Sequence, residues 1–123
     1  MEDNDSGRPA RQTPADVATR RAARDLVAPL QDQLGLWQAE SVKFETMAER
    51  ARVTGRKDEQ LVSGIRGLLE AIGRQSSALD GAIAKVPGPV GTHSRVTDVQ
   101  KVLRILERRL SDTLDGLEPP ARR

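Results

Sequence analysis

The sequence predicts an all-α fold, either a three-helix antiparallel bundle or a helical hairpin, held by coiled-coil-like seams. Three observations predict it. Apolar residues recur in steps of three and four through three separate stretches. Glycines and prolines gather between those stretches. The chain is rich in Leu, Ala, Arg and Glu but only 2% aromatic, which suits long helices better than a sheet core. Steps of three and four put side chains on one narrow helical stripe, and another helix must cover such a stripe.

Residues 1–13 are polar and contain Gly7 and Pro9, so they predict a disordered N-terminal arm. Thr13-Pro14-Ala15-Asp16 then reads as a helix start. Thr13 is the expected N-cap, Pro14 the first helical residue, and Asp16 a favourable charge in the first turn. The helix is expected over about 14–53. Its stripe is the least regular: Leu26, Leu30, Leu34, Trp37, Phe44, Met47 and Ala51. Pro29 lacks an N–H and clashes with the carbonyl four residues back, which predicts a kink or break near Asp25–Ala28. Gly55 supplies a left-handed stop.

Asp58 is the expected N-cap of a second helix, about 59–86. Its stripe is Leu61, Ile65, Leu68, Ile72, Leu79, Ile83 and Val86. Gly64, Gly67, Gly73 and Gly81 each weaken it by up to about 1 kcal/mol relative to alanine. Gly64, Ala71 and Ala78 are spaced seven apart beside the stripe, with Ala82 beyond, and this small-residue strip is expected to admit another helix closely.

Pro87-Gly88-Pro89-Val90-Gly91 ends the second helix and permits a reversal. Ser94 or Thr97 is the expected cap of the third helix, about 96–117, and Thr97-x-x-Gln100 matches a capping box. The third stripe is the clearest: Val96, Val99, Leu103, Leu106, Leu110, Leu114 and Leu117. Pro119-Pro120 stops the helix and leaves a tail over 119–123. Short connections place successive helices antiparallel, so residues 14–118 form one helical domain.

Charge does little to narrow the function. The 20 basic and 18 acidic residues leave +2, spread along the whole chain. With no cysteine, disulfides and thiolate metal sites are excluded. The acidic start, Met1-Glu2-Asp3-Asn4-Asp5, is not a conventional signal peptide. No apolar run approaches the roughly 20 residues that span a bilayer. The expected location is the cytoplasm.

Trp37 and Phe44 are the only aromatics, seven residues apart on one helical face that Met47 continues. Aromatics and Met fill bundle cores and also anchor partners; both readings stand. The lone His93 sits in a Gly/Ser/Thr loop with no neighbouring ligand and suggests neither a metal nor a general base. Arg20, Arg21 and Arg24 form one basic cluster, Arg50, Arg52, Arg56 and Lys57 a second, and Arg104, Arg108 and Arg109 a third. Acids interleave with each, as on a solvated helix face. The first two clusters are candidate phosphate contacts, but no aromatic interleaves to stack a base. No phosphate-loop, nucleophile-elbow or metalloprotease motif is present, so no catalytic, cofactor or metal residue is assigned. Trp37-Gln38-Ala39 lies mid-helix and lacks the glycine of the Trp-x-Gly turn that marks small exported helical-hairpin proteins.

These readings imply a non-enzymatic helical interaction module: an adaptor, structural subunit or chaperone of a larger assembly. Its partner is another protein or a second copy. The expected partner-binding residues are Trp37, Phe44 and Met47, then Leu61, Ile65, Leu68 and Ile72, then Leu103, Leu106, Leu110 and Leu114. The rival is a nucleic-acid accessory protein that uses the Arg clusters on the first and third helices.

Overall fold

A computed structural model describes residues 13–118. The arm expected over 1–13, apart from Thr13, and the tail expected over 119–123 lie outside the described residues. Four helices follow in order: α1 (Pro14–Thr54), α2 (Glu59–Ile83), the single turn α3 (Gly88–Gly91) and α4 (Ser94–Leu117). They form an up-down-up bundle in which a short helical turn joins the second and third long helices.

The capping chemistry sets the boundaries. At the start of α1, Thr13 and Asp16 form a reciprocal capping box: the Asp16 N–H donates to Thr13 Oγ1 at 3.0 Å, and the Thr13 N–H donates to Asp16 at 3.3 Å. Gly55 ends the helix in the left-handed region at φ 70°. Asp58 caps α2 by accepting from the Leu61 N–H at 3.0 Å.

Several expectations need correction. First, of the kink or break expected near Asp25–Ala28, the break is absent: α1 stays helical from Pro14 to Thr54. Pro29 and Asp25 are both exposed, so water can satisfy the Asp25 carbonyl that proline leaves without its helical donor. Second, α2 ends at Ile83, not Val86. Lys85 and Val86 donate to the carbonyls three residues back, and the residue before Pro87 is driven out of the helical region. Third, the Pro-Gly segment does more than end α2 and permit a reversal. Gly88–Gly91 forms a helical turn that buries Val90 and Gly91. His93, not Ser94 or Thr97, caps α4; its Nδ1 accepts from the Arg95 N–H at 3.2 Å. Thr97 instead donates to the Ser94 carbonyl.

Cross-contacts fix the directions. Arg109 of α4 meets Glu45 of α1, and Arg52 lies beside Gly116, so α1 and α4 run parallel. Gln100 donates to Asp80 at 3.2 Å and Arg66 pairs with Glu118, so α2 runs antiparallel to α4. Among the three long helices, α4 packs chiefly on α1 and next on α2, while α1 and α2 touch least. Its Leu stripe is therefore the spine of the bundle.

One core joins all four helices. It buries Val27, Leu30, Leu34 and Trp37 of α1, Leu61, Ile65, Ile72 and Leu79 of α2, Val90 of α3, and Val96, Val99, Leu103, Leu106 and Leu110 of α4. The α1 seam differs from the expected one. It advances in alternating steps of four and three through Ala23, Val27, Leu30, Leu34, Trp37, Ser41, Phe44, Ala48 and Ala51. Met47 falls off the seam and is 37% exposed. From Phe44 a step of three reaches Met47 and a step of four reaches Ala48, and packing selects the smaller residue. Ser41, Ala48 and Ala51 are small, so this half of α1 adds little bulk to the buried seam.

Candidate interaction surface

The seams hold the scaffold together. Ile65, Ile72, Leu103 and Leu110 are fully buried, and Trp37, Leu61 and Leu106 nearly so. Leu68, Leu114 and Phe44 are half-buried against the same core. In the folded chain these side chains meet one another. Trp37 sits inside the bundle, and Phe44 lies over Gly64, where an added Cβ would come within 3.2 Å of the ring. The small-residue strip of α2 thus admits a neighbour at Gly64, whereas Ala78 is exposed.

Two basic clusters occupy opposite ends of α1. Arg20, Arg21 and Arg24 are exposed in its first turns, and no residue from 14 to 22 is buried. Arg50, Arg52, Arg56 and Lys57 are exposed at its far end and in the following loop. Arg24 and Arg50 stand roughly 39 Å apart along the axis, at about 1.5 Å per residue. Some charge is neutralised locally: Arg52 pairs with Glu49 at 2.8 Å, and Arg24 approaches Asp25 at 3.9 Å. The fold does not bring the two clusters into one phosphate track.

Arg109 of the third cluster reaches across to α1. Its Nε and Nη2 donate to the Glu45 carboxylate at 2.9 and 2.6 Å, a two-pronged bridge. This hydrogen bonding, and then the charge attraction, hold the Arg109 pKa above its ordinary value.

At the α1–α2 loop, Arg56, Lys57, Asp58, Glu59, Arg66 and Glu118 line a cleft of ≈610 Å³. Cations and carboxylates balance there. Asp58 is committed to capping and Arg66 to Glu118. Among the described residues, no group of His, Cys, Asp or Glu is placed to hold a metal ion, and no helix is long and apolar enough to cross a membrane.

What the core leaves outside is more informative. Leu36, Val42, Met47 and Val53 of α1 and Ile105 of α4 are large apolar residues exposed by between 37% and 76%. Leu36 and Met47 are eleven residues apart, as are Val42 and Val53. Eleven residues make three helical turns, so each pair stacks along one side of α1. Sequence reasoning missed four of these five because it assigned apolar residues to seams. The available signal was the remainder, apolar residues on a helix that belong to no seam.

Val42 and Ile105 follow Gly35 and Asp98 by seven residues, so helical spacing places them on the sides of α1 and α4 that border the groove between the two helices. An open cleft of ≈430 Å³ begins that groove, lined by Leu34, Gly35 and Gln38 of α1 and Asp98, Val99 and Val102 of α4. Gly35 adds no side chain to fill it, and a Cβ there would meet nothing within 4 Å. One to two turns further on, the Glu45–Arg109 bridge closes the groove.

No protein-family model matches the chain, and no curated protein and no solved structure is significantly similar to it.

Proposed function

We propose that the protein is a non-enzymatic helical protein–protein interaction module, acting as an adaptor, structural subunit or chaperone within a larger assembly. One observation carries the reading. Five large apolar side chains lie outside a core that is otherwise closed, and four of them share the longest helix. Apolar residues exposed along a rigid helix cost solubility and favour burial against a partner. In this reading the heptad seams build a stiff scaffold. The outer faces of α1 and α4 meet the partner, and nearby charges select its orientation.

The test is gentle purification of the tagged protein from its native source, with and without nuclease. A protein recovered in fixed stoichiometry after nuclease treatment supports the module. Loss of partners with nuclease, or recovery of nucleic acid with a steep salt dependence, overturns it in favour of the Arg clusters as phosphate contacts.

A further inference from the structure

We propose that the α1–α4 groove around Val42 and Ile105 docks a short acidic amphipathic helix of a partner protein. The proposal rests on the interaction-module reading and narrows it to one face and one partner chemistry.

The groove has an apolar middle. Gln38 and Val102 line its opening cleft, and Glu45 and Arg109 bridge its far end. Val42 lies between Gln38 and Glu45 on α1, and Ile105 lies between Val102 and Arg109 on α4. Both therefore belong to the stretch between these two crossings. They are 53% and 54% exposed, and Val102 beside them is half-buried.

The rim is cationic. Residues three and four positions away are neighbours on a helix surface. For Ile105 these are Lys101, Val102, Arg108 and Arg109. Arg109 is held by Glu45, whereas Lys101 and Arg108 are exposed and form no ion pair among the described residues. Asp98 and Asp112 stand seven residues to either side of Ile105. Arg95 lines the same cleft beyond Asp98, so this side of α4 is positive around Ile105, with Asp98 offset by Arg95 at one end and Asp112 at the other.

That pattern discriminates between occupants. In an antiparallel pairing of two copies centred on Ile105, Lys101 would face Arg109 and Asp98 would face Asp112. Arg109 is already neutralised by Glu45, and Arg95 would face Asp115, so the like-charged aspartates leave a second copy no net electrostatic gain on this face. A nucleic-acid backbone would use Lys101 and Arg108 but gain nothing from the central Val42 and Ile105. An amphipathic helix with flanking carboxylates satisfies both features. The stretch from Gly35 to Glu45 is about 15 Å long, so it accommodates roughly three helical turns. Asp112 repels a longer acidic segment at the far end of the groove, which limits the occupant there.

The test uses the full chain and a pair of synthetic amphipathic peptides of about three turns. Both carry leucines at helical spacing; one has glutamates on its remaining positions and its twin has lysines. Methyl NMR reads the Val42, Val102 and Ile105 signals during titration. The expected result is that the glutamate peptide shifts these signals, more weakly as salt is added, and the lysine peptide does not. Ile105→Gln should weaken binding about tenfold, because the central apolar contact is lost. The double variant Lys101→Glu/Arg108→Glu should reverse the preference between peptides. All three substitutions are at exposed positions, and circular dichroism checks the fold. Equal binding of both peptides, or none, overturns the proposal. So does duplex DNA that shifts the same signals and is indifferent to Ile105→Gln. A native partner bound in fixed stoichiometry on another face would overturn this site and leave the module reading standing.

Discussion

The Phe44 ring of α1 lies over Gly64 of α2 so closely that a methyl group at Gly64 would sit 3.2 Å from Cζ and 3.3 Å from Cε1. Gly67, one turn on, has open space at the same position. Two glycines in one helix thus carry opposite consequences. Gly67→Ala should stabilise the protein by about 1 kcal/mol through helix propensity. Gly64→Ala should lag behind it by about 1 kcal/mol or more, because the ring must move. Chemical denaturation of both variants, repeated in a Phe44→Leu background, checks the relationship. The gap should close when the ring is gone; a gap that persists places its cause elsewhere.

The register of α1 can be tested at two adjacent residues. Ala48 is buried in the seam and Met47 lies outside it. Ala48→Glu places a carboxylate between packed helices and should unfold the chain or cost at least about 3 kcal/mol. Met47→Glu should cost less than about 1 kcal/mol. Equal losses in a thermal melt would remove the Ser41–Ala48 seam and restore the one that runs through Met47.

Ser41 is fully buried, and its Oγ has no hydrogen-bond partner among the described residues. An unsatisfied buried hydroxyl costs about 1–3 kcal/mol. Ser41→Ala removes that cost and raises helix propensity, so it should increase stability by about 1 kcal/mol or more. A lower denaturation midpoint for Ser41→Ala would mean that the hydroxyl is satisfied in solution.

Gly91 is held against Ile83 at the end of α2. An added Cβ would lie 2.8 Å from Ile83 Cγ2, a branch fixed directly to that residue's Cβ and unable to swing aside alone. Gly91→Ala should therefore destabilise by about 1–3 kcal/mol. An Ile83→Ala background should absorb most of the loss. An undiminished loss there would trace the effect to the α3 backbone.

The Glu45–Arg109 bridge joins the two parallel helices but is solvent-exposed, with side chains 30% and 48% accessible. Arg109→Met should cost less than about 1 kcal/mol at low salt and still less at high salt. The raised Arg109 pKa works in the expected direction. Protonated arginine is favoured in the fold, so this contribution persists below the unfolded-state pKa and is lost only as pH rises through the folded one. The difference between wild type and Arg109→Met should accordingly stay flat from neutral into moderately alkaline solution. A neutral-pH inflection common to both proteins would have to come from another group.

Local chemistry made several boundaries legible. Thr13 with Asp16, Gly55, and Asp58 each act through neighbours within a few residues, and each does what its sequence context implies. The seams of α2 and α4 were legible because large aliphatic residues mark them. The α1 seam was not, because Ser41 and Ala48 carry too little apolar surface to announce a core position. Pro29 does not break α1; it and Asp25 are exposed, so the carbonyl it frees is open to water. The Val42–Ile105 groove was beyond local reading. It arises where two helices distant in sequence come together, and neither residue is distinctive on its own helix.

The parallel arrangement of α1 and α4 has a further consequence for anything joined to the chain. Thr13 begins the longest helix, while Glu118 follows α4 beside Arg66, at the end of the bundle where α1 finishes. Forty-one helical residues separate those ends along a single axis. That is roughly 60 Å at about 1.5 Å per residue. Groups attached at Thr13 and Glu118 would face away from each other across a stiff spacer, and energy transfer between dyes placed there would read its length as a molecular ruler.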